Sequence, residues 1–264
     1  MIGAIIGDST GSYYEFSQNS TKPKYDNVKI MQGSMTDDSI LSLAVAEALF
    51  MCKNNYDNLQ EIVINSLKRY TKAFPLVGFG AMFSNWVYSN NSKPYNSFGN
   101  GAAMRISAVG YFASSLEQCK KLSYQVTAVT HNHHEAIKGA ESVAVAIWML
   151  RHKATKEEVI NYIKQNYYNL DYNYDDLVKN YRFDVTCQGT VPVAFYIFSI
   201  ANSFEDAIRK SITLLGDADT LTCIVGTIAE AYYPIPQQWK EKAIAKCPKI
   251  LKPTLDRFIK EFQT

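Results

Sequence analysis

Apolar positions recur at helical spacing through most of the chain. Ser39 to Met51, SILSLAVAEALFM, is apolar over most of its length. It is too long for a typical strand and rich in Ala and Leu rather than alternating Val, Thr and Tyr, so it predicts a helix. NLQEIVINSLKRYTKAF sets Ile62, Leu67 and Tyr70 among polar residues. HEAIKGAESVAVAIWMLR places Ile137, Ala140, Ala144, Ile147 and Trp148 on one side at spacings of three and four. KEEVINYIKQNYY, FEDAIRKSITLL and TLTCIVGTIAEAYY repeat the pattern. VPVAFYIFSIA is ambiguous by content, and its length, with a Pro tolerated in a first helical turn, favours helix. No strand-and-hairpin spacing is present, nor an internal repeat of about 20–50 residues. Ser89 to Gly101, SNNSKPYNSFGNG, reads as a long loop. QNYYNLDYNYDDLVKNY reads as a second irregular region, either a solvated surface segment or a flap over a substrate. The expectation is a single all-α domain over residues 1–264, a multi-helix bundle.

Composition narrows the classes. At 264 residues the chain can bury a sizeable core. With 47% apolar and 20% charged residues it reads as a soluble globular protein. A net charge of +2 is too small to argue for nucleic acid or an anionic membrane as a partner. No apolar run approaches the roughly 18 residues of a membrane span, and MIGAIIGDST lacks the basic start of a signal peptide. Cys52, Cys119, Cys187, Cys223 and Cys247 are odd in number, far apart and without a C-x-x-C, which predicts free thiols in a reducing compartment. A cytoplasmic, monomeric protein is expected.

Two acidic clusters raise a chemical question. In GSMTDDSILSLAV, Thr36, Asp37, Asp38 and Ser39 precede a helix. In LLGDADTLTCIVG, Gly216 ends one helix and Asp217, Asp219 and Thr220 open another. Both are good helix caps, since short oxygen side chains accept from free N–H groups and acids suit the positive dipole end. A cap needs one such residue, however, and each cluster has two carboxylates. The same residues form a hard-oxygen ligand set for Mg²⁺ or Mn²⁺, and two clusters could each supply half of one centre.

Other segments add to this picture. GAIIGDSTGSYYEF carries glycines at 3, 7 and 11, which suit close helix–helix packing. Asp8, Ser12 and Glu15 fall three to four residues apart and share a face. A Glu beside a metal centre can act as general acid or base. Gly99, Asn100 and Gly101 precede a helix start, as a plain turn or as a nest for a phosphate. THNHHEAIKG is not H-E-x-x-H and has no Cys nearby, so its histidines read as hydrogen-bonded structural or pocket residues rather than zinc ligands.

Taken in order, GAIIGDSTGSYYEF, MTDDSILSLAVAEAL, GNGAAMRISAVG, THNHHEAIKGAESVA, TCQGTVPVAFYIF and SFEDAIRKSITLLGDADTLTCIVGTIAEAYYPIP resemble the ADP-ribosylglycohydrolase family. They span Gly3 to Pro236. The resemblance implies an all-α orthogonal bundle of that type with a binuclear Mg²⁺ or Mn²⁺ centre that binds ADP-ribose. It implies Thr36, Asp37, Asp38, Asp217, Asp219 and Thr220 as metal ligands, with one aspartate bridging. Glu15 and Asp38 are the expected catalytic residues. Gly99, Asn100, Gly101 and His131 are the expected substrate-binding residues. The implied partner is an ADP-ribosylated protein or a small ADP-ribose conjugate, and the implied activity is hydrolysis of its glycosidic bond. A non-catalytic ADP-ribose-binding relative and a two-metal nucleotide phosphohydrolase are the alternatives. The chain departs from the family pattern at Leu215 and Ala218, where Gly and a hydroxyl residue are usual, at Gly189, where Glu is usual, and at His134, where Pro is usual.

Overall fold

The computed structural model describes residues 1–15 and 21–263. Phe16, which closes the first motif, and Thr264 lie outside the described residues. The fold is all-α. In chain order the first half carries α1 (Ile2–Glu15), α2 (Asp37–Cys52), α3 (Leu59–Ala73), α4 (Ala81–Tyr88), the one-turn helices α5 (Gly101–Met104) and α6 (Val109–Phe112), and α7 (Leu116–Thr127). The second half carries α8 (His134–Arg151), α9 (Lys156–Asn166), α10 (Tyr174–Asn180), α11 (Cys187–Ile200), α12 (Phe204–Ile212), α13 (Ala218–Glu230), α14 (Gln237–Lys246) and α15 (Lys252–Phe262). One hydrophobic cluster runs from Met1 to Phe258.

Local chemistry sets the helix starts. Thr155 and Glu158 form a reciprocal capping box at α9, and Ser203 accepts from Asp206 N at α12. Two elements differ from the pattern-based reading. The Asn/Tyr-rich stretch contains α10, which Asn173 nucleates by accepting from Asp176 N at 3.1 Å. Helix α11 begins at Cys187, because Thr186 caps it by accepting from Gly189 N. Pro192 therefore lies inside the helix rather than in its first turn, where it withdraws one N–H from the ladder.

Helices α1 and α13 form the centre. Residues Met1 to Ser12 and Ala218 to Ala229 are all buried, as befits helices covered on every side. The glycine stripe of α1 explains how closely they approach. A Cβ on Gly3 would overlap the Gly226 carbonyl, one on Gly7 the Thr222 carbonyl, and one on Gly11 the Ala218 carbonyl. The helices run antiparallel, so the C-terminal end of α1 meets the N-terminal end of α13. Gly7→Ala must force backbones apart and is expected to destabilise the fold by about 1–3 kcal/mol, read from chemical denaturation.

Candidate metal centre

The end of α1 and the starts of α2 and α13 converge on one point. Thr36 and Asp217 occupy the N-cap positions of α2 and α13, yet neither side chain makes a capping bond. Asp8 of α1 caps α2 instead. Its Oδ2 accepts from Thr36 N at 2.9 Å and Ser39 N at 3.1 Å, and its carboxylate also accepts from the Thr36 and Ser39 hydroxyls. This leaves the acids of both clusters free to face one another.

Two groups of carboxylates result. Asp8, Asp38 and Asp219 offer oxygens within 4.8 Å of one another, and so do Glu15, Asp217 and Asp219. Asp219 belongs to both. Thr36 Oγ1 lies 3.2 Å from Asp38 Oδ2 and 3.4 Å from Asp219 Oδ2. Thr220 Oγ1 lies 3.4 Å from Asp38 Oδ2, and its N–H donates to Asp219 Oδ1 at 2.7 Å. Asp37 stands outside both groups but lines the same cleft.

None of these six acids pairs with a Lys or Arg among the described residues. Burial and mutual repulsion therefore favour their protonated forms. Burial, then Asp219, pushes Asp217 up to about 8. Burial pushes Asp8 up to about 6 against its four hydrogen bonds, and it raises Glu15 as well. Asp37, Asp38 and Asp219 are raised well above the usual carboxylate range, again chiefly by burial. Asp38 Oδ1 and Glu15 Oε2 are buried without a hydrogen-bond partner. Orphaned, mutually repelling hard oxygens suit a divalent cation of the Mg²⁺ or Mn²⁺ kind.

The centre lies on a cleft of about 380 Å³, within the range of small-molecule sites. Asn100 ties the cleft loop to the acids, since its Nδ2 donates to Asp217 Oδ2 at 2.7 Å. Gly99, Gly101 and His131 line the same cleft. The loop is not a nest of three free N–H groups. Gly99 N donates to Ser97 Oγ at 3.1 Å and Asn100 N to Val185 O at 2.8 Å, and the helix that follows is a single turn. His131 is a buried, hydrogen-bonded pocket histidine, with Nδ1 2.7 Å from Thr130 Oγ1.

Three of the four departures from the family pattern have a local structural setting, and nothing in the structure explains Ala218. Leu215 takes φ +55°, a left-handed conformation that costs a branched side chain more than glycine. The carboxylate of Asp184 fills the space that a Gly189 side chain would need, and its Oδ1 accepts from Thr186 N and Oγ1. His133 caps α8 by accepting from Glu135 N at 3.2 Å, so the helix starts at His134 without a proline. Asp8 is the residue that the cluster pattern missed. Its signal was the shared face with Ser12 and Glu15.

With this geometry in hand, the likeness to known proteins is specific. A solved structure named as an ADP-ribosylglycohydrolase-related protein complex superposes with a TM-score of 0.71, covering 97% of this chain and 95% of that one at 21% identity. The chain belongs to the ADP-ribosylglycohydrolase family, whose model matches residues 1–263. It is 24% identical to the ADP-ribosylarginine hydrolase Tri1 of Pseudomonas putida, over 92% of this chain and 72% of that protein. It is 21% identical to the human ADP-ribosylhydrolase ARH3, over 91% of this chain and 87% of that protein.

The raised acids set a pH dependence. A carboxyl that keeps its proton in the fold and loses it on unfolding stabilises the fold below the unfolded pKa. In chelator, stability is therefore expected to fall as pH rises from about 4 towards 8, the value to which Asp217 is pushed. Scanning calorimetry should show the melting temperature dropping across that window and recovering on addition of Mg²⁺ or Mn²⁺.

Proposed function

We propose that the chain, acting as one domain, hydrolyses the glycosidic bond between ADP-ribose and a modified side chain or small conjugate. The single observation that carries this reading is the convergence of both acidic clusters and Glu15 on one cleft, within a member of this family. The names of the Pseudomonas putida and human relatives support the same substrate class. A scaffold or pure binding module has no need of six clustered, mutually repelling carboxylates, four of them buried.

Thr36, Asp37, Asp38, Asp217, Asp219 and Thr220 would hold two divalent cations, with Asp219 shared between them because it belongs to both groups. Such ions, when bound, neutralise the acids and bind and polarise ribose oxygens beside the scissile bond. Gly99, Asn100, Gly101 and His131 bind the diphosphate and ribose from the facing wall. Asn100 carries a second duty, since its bond to Asp217 fixes the distance between loop and centre.

Cleavage leaves an oxocarbenium-like C1″ as the bond to the acceptor breaks. Water adds its oxygen at C1″, Glu15 Oε2 takes the proton that water loses and passes it to the departing acceptor, so free ADP-ribose and the protonated acceptor are the products and Glu15 is regenerated. Burial raises the affinity of Glu15 for that proton, which brings it closer to neutral pH, as general acid–base work requires. Asp38, whose buried Oδ1 has no hydrogen-bond partner, would orient the reacting ribose.

Arginine-, serine- and otherwise-linked ADP-ribose should be tested side by side with Mg²⁺, Mn²⁺ or chelator. The expected product is free ADP-ribose, dependent on the cation. Release of AMP or phosphate would establish a nucleotide phosphohydrolase instead, and binding without turnover a binding protein. Glu15→Gln is expected to lower kcat by about 10²–10⁴-fold, with cation binding retained. Asp219→Ala should abolish cation-dependent turnover while raising the melting temperature in chelator, because it removes one repelling charge.

A further inference from the structure

Arg105 is a buried cation without a counter-ion. It is 1% exposed and pairs with no carboxylate among the described residues. Its Nε has no hydrogen-bond partner, and its guanidinium lies 5.6 Å from the Phe83 ring centroid. Burying a charge in this way is costly, so its contacts are informative. Nη2 donates to Thr130 Oγ1 at 2.5 Å and lies 3.4 Å from His131 Nδ1. Thr130 Oγ1 lies 2.7 Å from the same Nδ1.

These distances settle the hydrogen-bond directions. A guanidinium only donates. Nη2 also faces His131 Nδ1, which can only accept from it, while the Thr130 hydroxyl, which accepts from Arg105 and also hydrogen-bonds Tyr95, stands beside the same nitrogen. With a guanidinium that only donates facing it, Nδ1 keeps its lone pair. The proton of the neutral ring then sits on Nε2. That atom makes no hydrogen bond among the described residues. It lies against the cleft loop, where a Cβ on Gly101 or Gly99 would stand 3.5 or 3.6 Å from it. A second ring proton would face the guanidinium inside a site closed to water, and burial with that charge holds the imidazole well below its usual range.

We propose that Arg105 is a positioning residue: acting directly and through Thr130, it locks His131 as the neutral Nε2–H tautomer, so that the cleft presents an N–H donor beside Gly99–Gly101 to an anionic oxygen of a bound diphosphate. The identity of the ligand rests on the proposed function; the tautomer does not. The sequence pattern places a histidine at the site, and Arg105 determines which hydrogen-bonding face of it the ligand meets.

The test is nitrogen-15 NMR of histidine-labelled full-length protein at neutral pH, with His131→Asn identifying the signal, alongside calorimetric titration with ADP-ribose. The wild type is expected to show a protonated Nε2 and a bare Nδ1. Thr130→Val is expected to give mixed tautomers and a Kd for ADP-ribose about 10-fold weaker, the scale of one hydrogen bond. Thr130→Ser restores the hydroxyl and should restore both readouts. Arg105→Lys keeps the charge but loses the planar fork, and should resemble Thr130→Val. A protonated Nδ1 in the wild type, or a Thr130→Val protein with unchanged tautomer and affinity, overturns the proposal. Equal losses in Thr130→Ser and Thr130→Val also overturn it, since packing would then explain both. Absence of ADP-ribose binding in the wild type refutes the diphosphate assignment and the proposed substrate together, while the NMR spectrum still decides the tautomer.

Discussion

The backbone contact between α1 and α13 is the constraint on which the rest depends. Glycines at one-turn intervals let the two helices touch backbone to backbone, where a Cβ on Gly3, Gly7 or Gly11 would overlap a carbonyl of α13. The contact fixes where α1 ends relative to where α13 begins. Asp8 and Glu15 are thereby set against Asp217 and Asp219 without any loop having to position them. Asp8 then reaches sideways to cap α2, which brings Thr36 and Asp38 into the same cluster. One packing choice thus aligns three helices and the acids they carry.

The electrostatics follow from that arrangement. Two helix N-termini point into the acidic cluster, and their partial positive charge offsets a fraction of its repulsion. No Lys or Arg among the described residues forms an ion pair with these acids, and the hydrogen bonds of Arg105 go to Thr130 and His131 instead. The acids are consequently biased towards protonation, and a divalent cation would relieve that bias. The opposite wall is organised by hydrogen bonds rather than charge. Asn100 links the two walls through Asp217, so loop and acidic cluster behave as one unit.

Much of this was legible in the sequence because each acid cluster sits in a short, recognisable string at a helix start. The long amphipathic and apolar helices were legible for the same reason, a repeat of three and four. Capping was a fair alternative for Thr36 and Asp217, and only the folded geometry removes it: neither side chain makes a capping bond, and at α2 a carboxylate from a different helix takes over that role. Asp8 was hard to assign because its partner atoms are distant in sequence and its own helix looks like plain packing. Arg105 was invisible for a related reason: a lone basic residue in an Ala-rich string says nothing about burial. Helix α10 escaped because Asn and Tyr weigh against helix by composition, while a single Asn173 cap suffices to start two turns.

The closeness of α1 and α13 also governs how the chain can be made. The two helices are the first and the thirteenth in the chain, so most of the other helices lie between them. Helix α1 is apolar enough to be buried on every side, yet its glycine groove has no occupant until α13 emerges. Until the segment that forms α13 is present, the groove lacks the backbone surface that fills it in the folded protein. Closing so long a loop is a late event that makes for slow folding. The acidic centre is assembled in that same closure, so a truncated chain has neither a finished core nor a site that could capture metal prematurely.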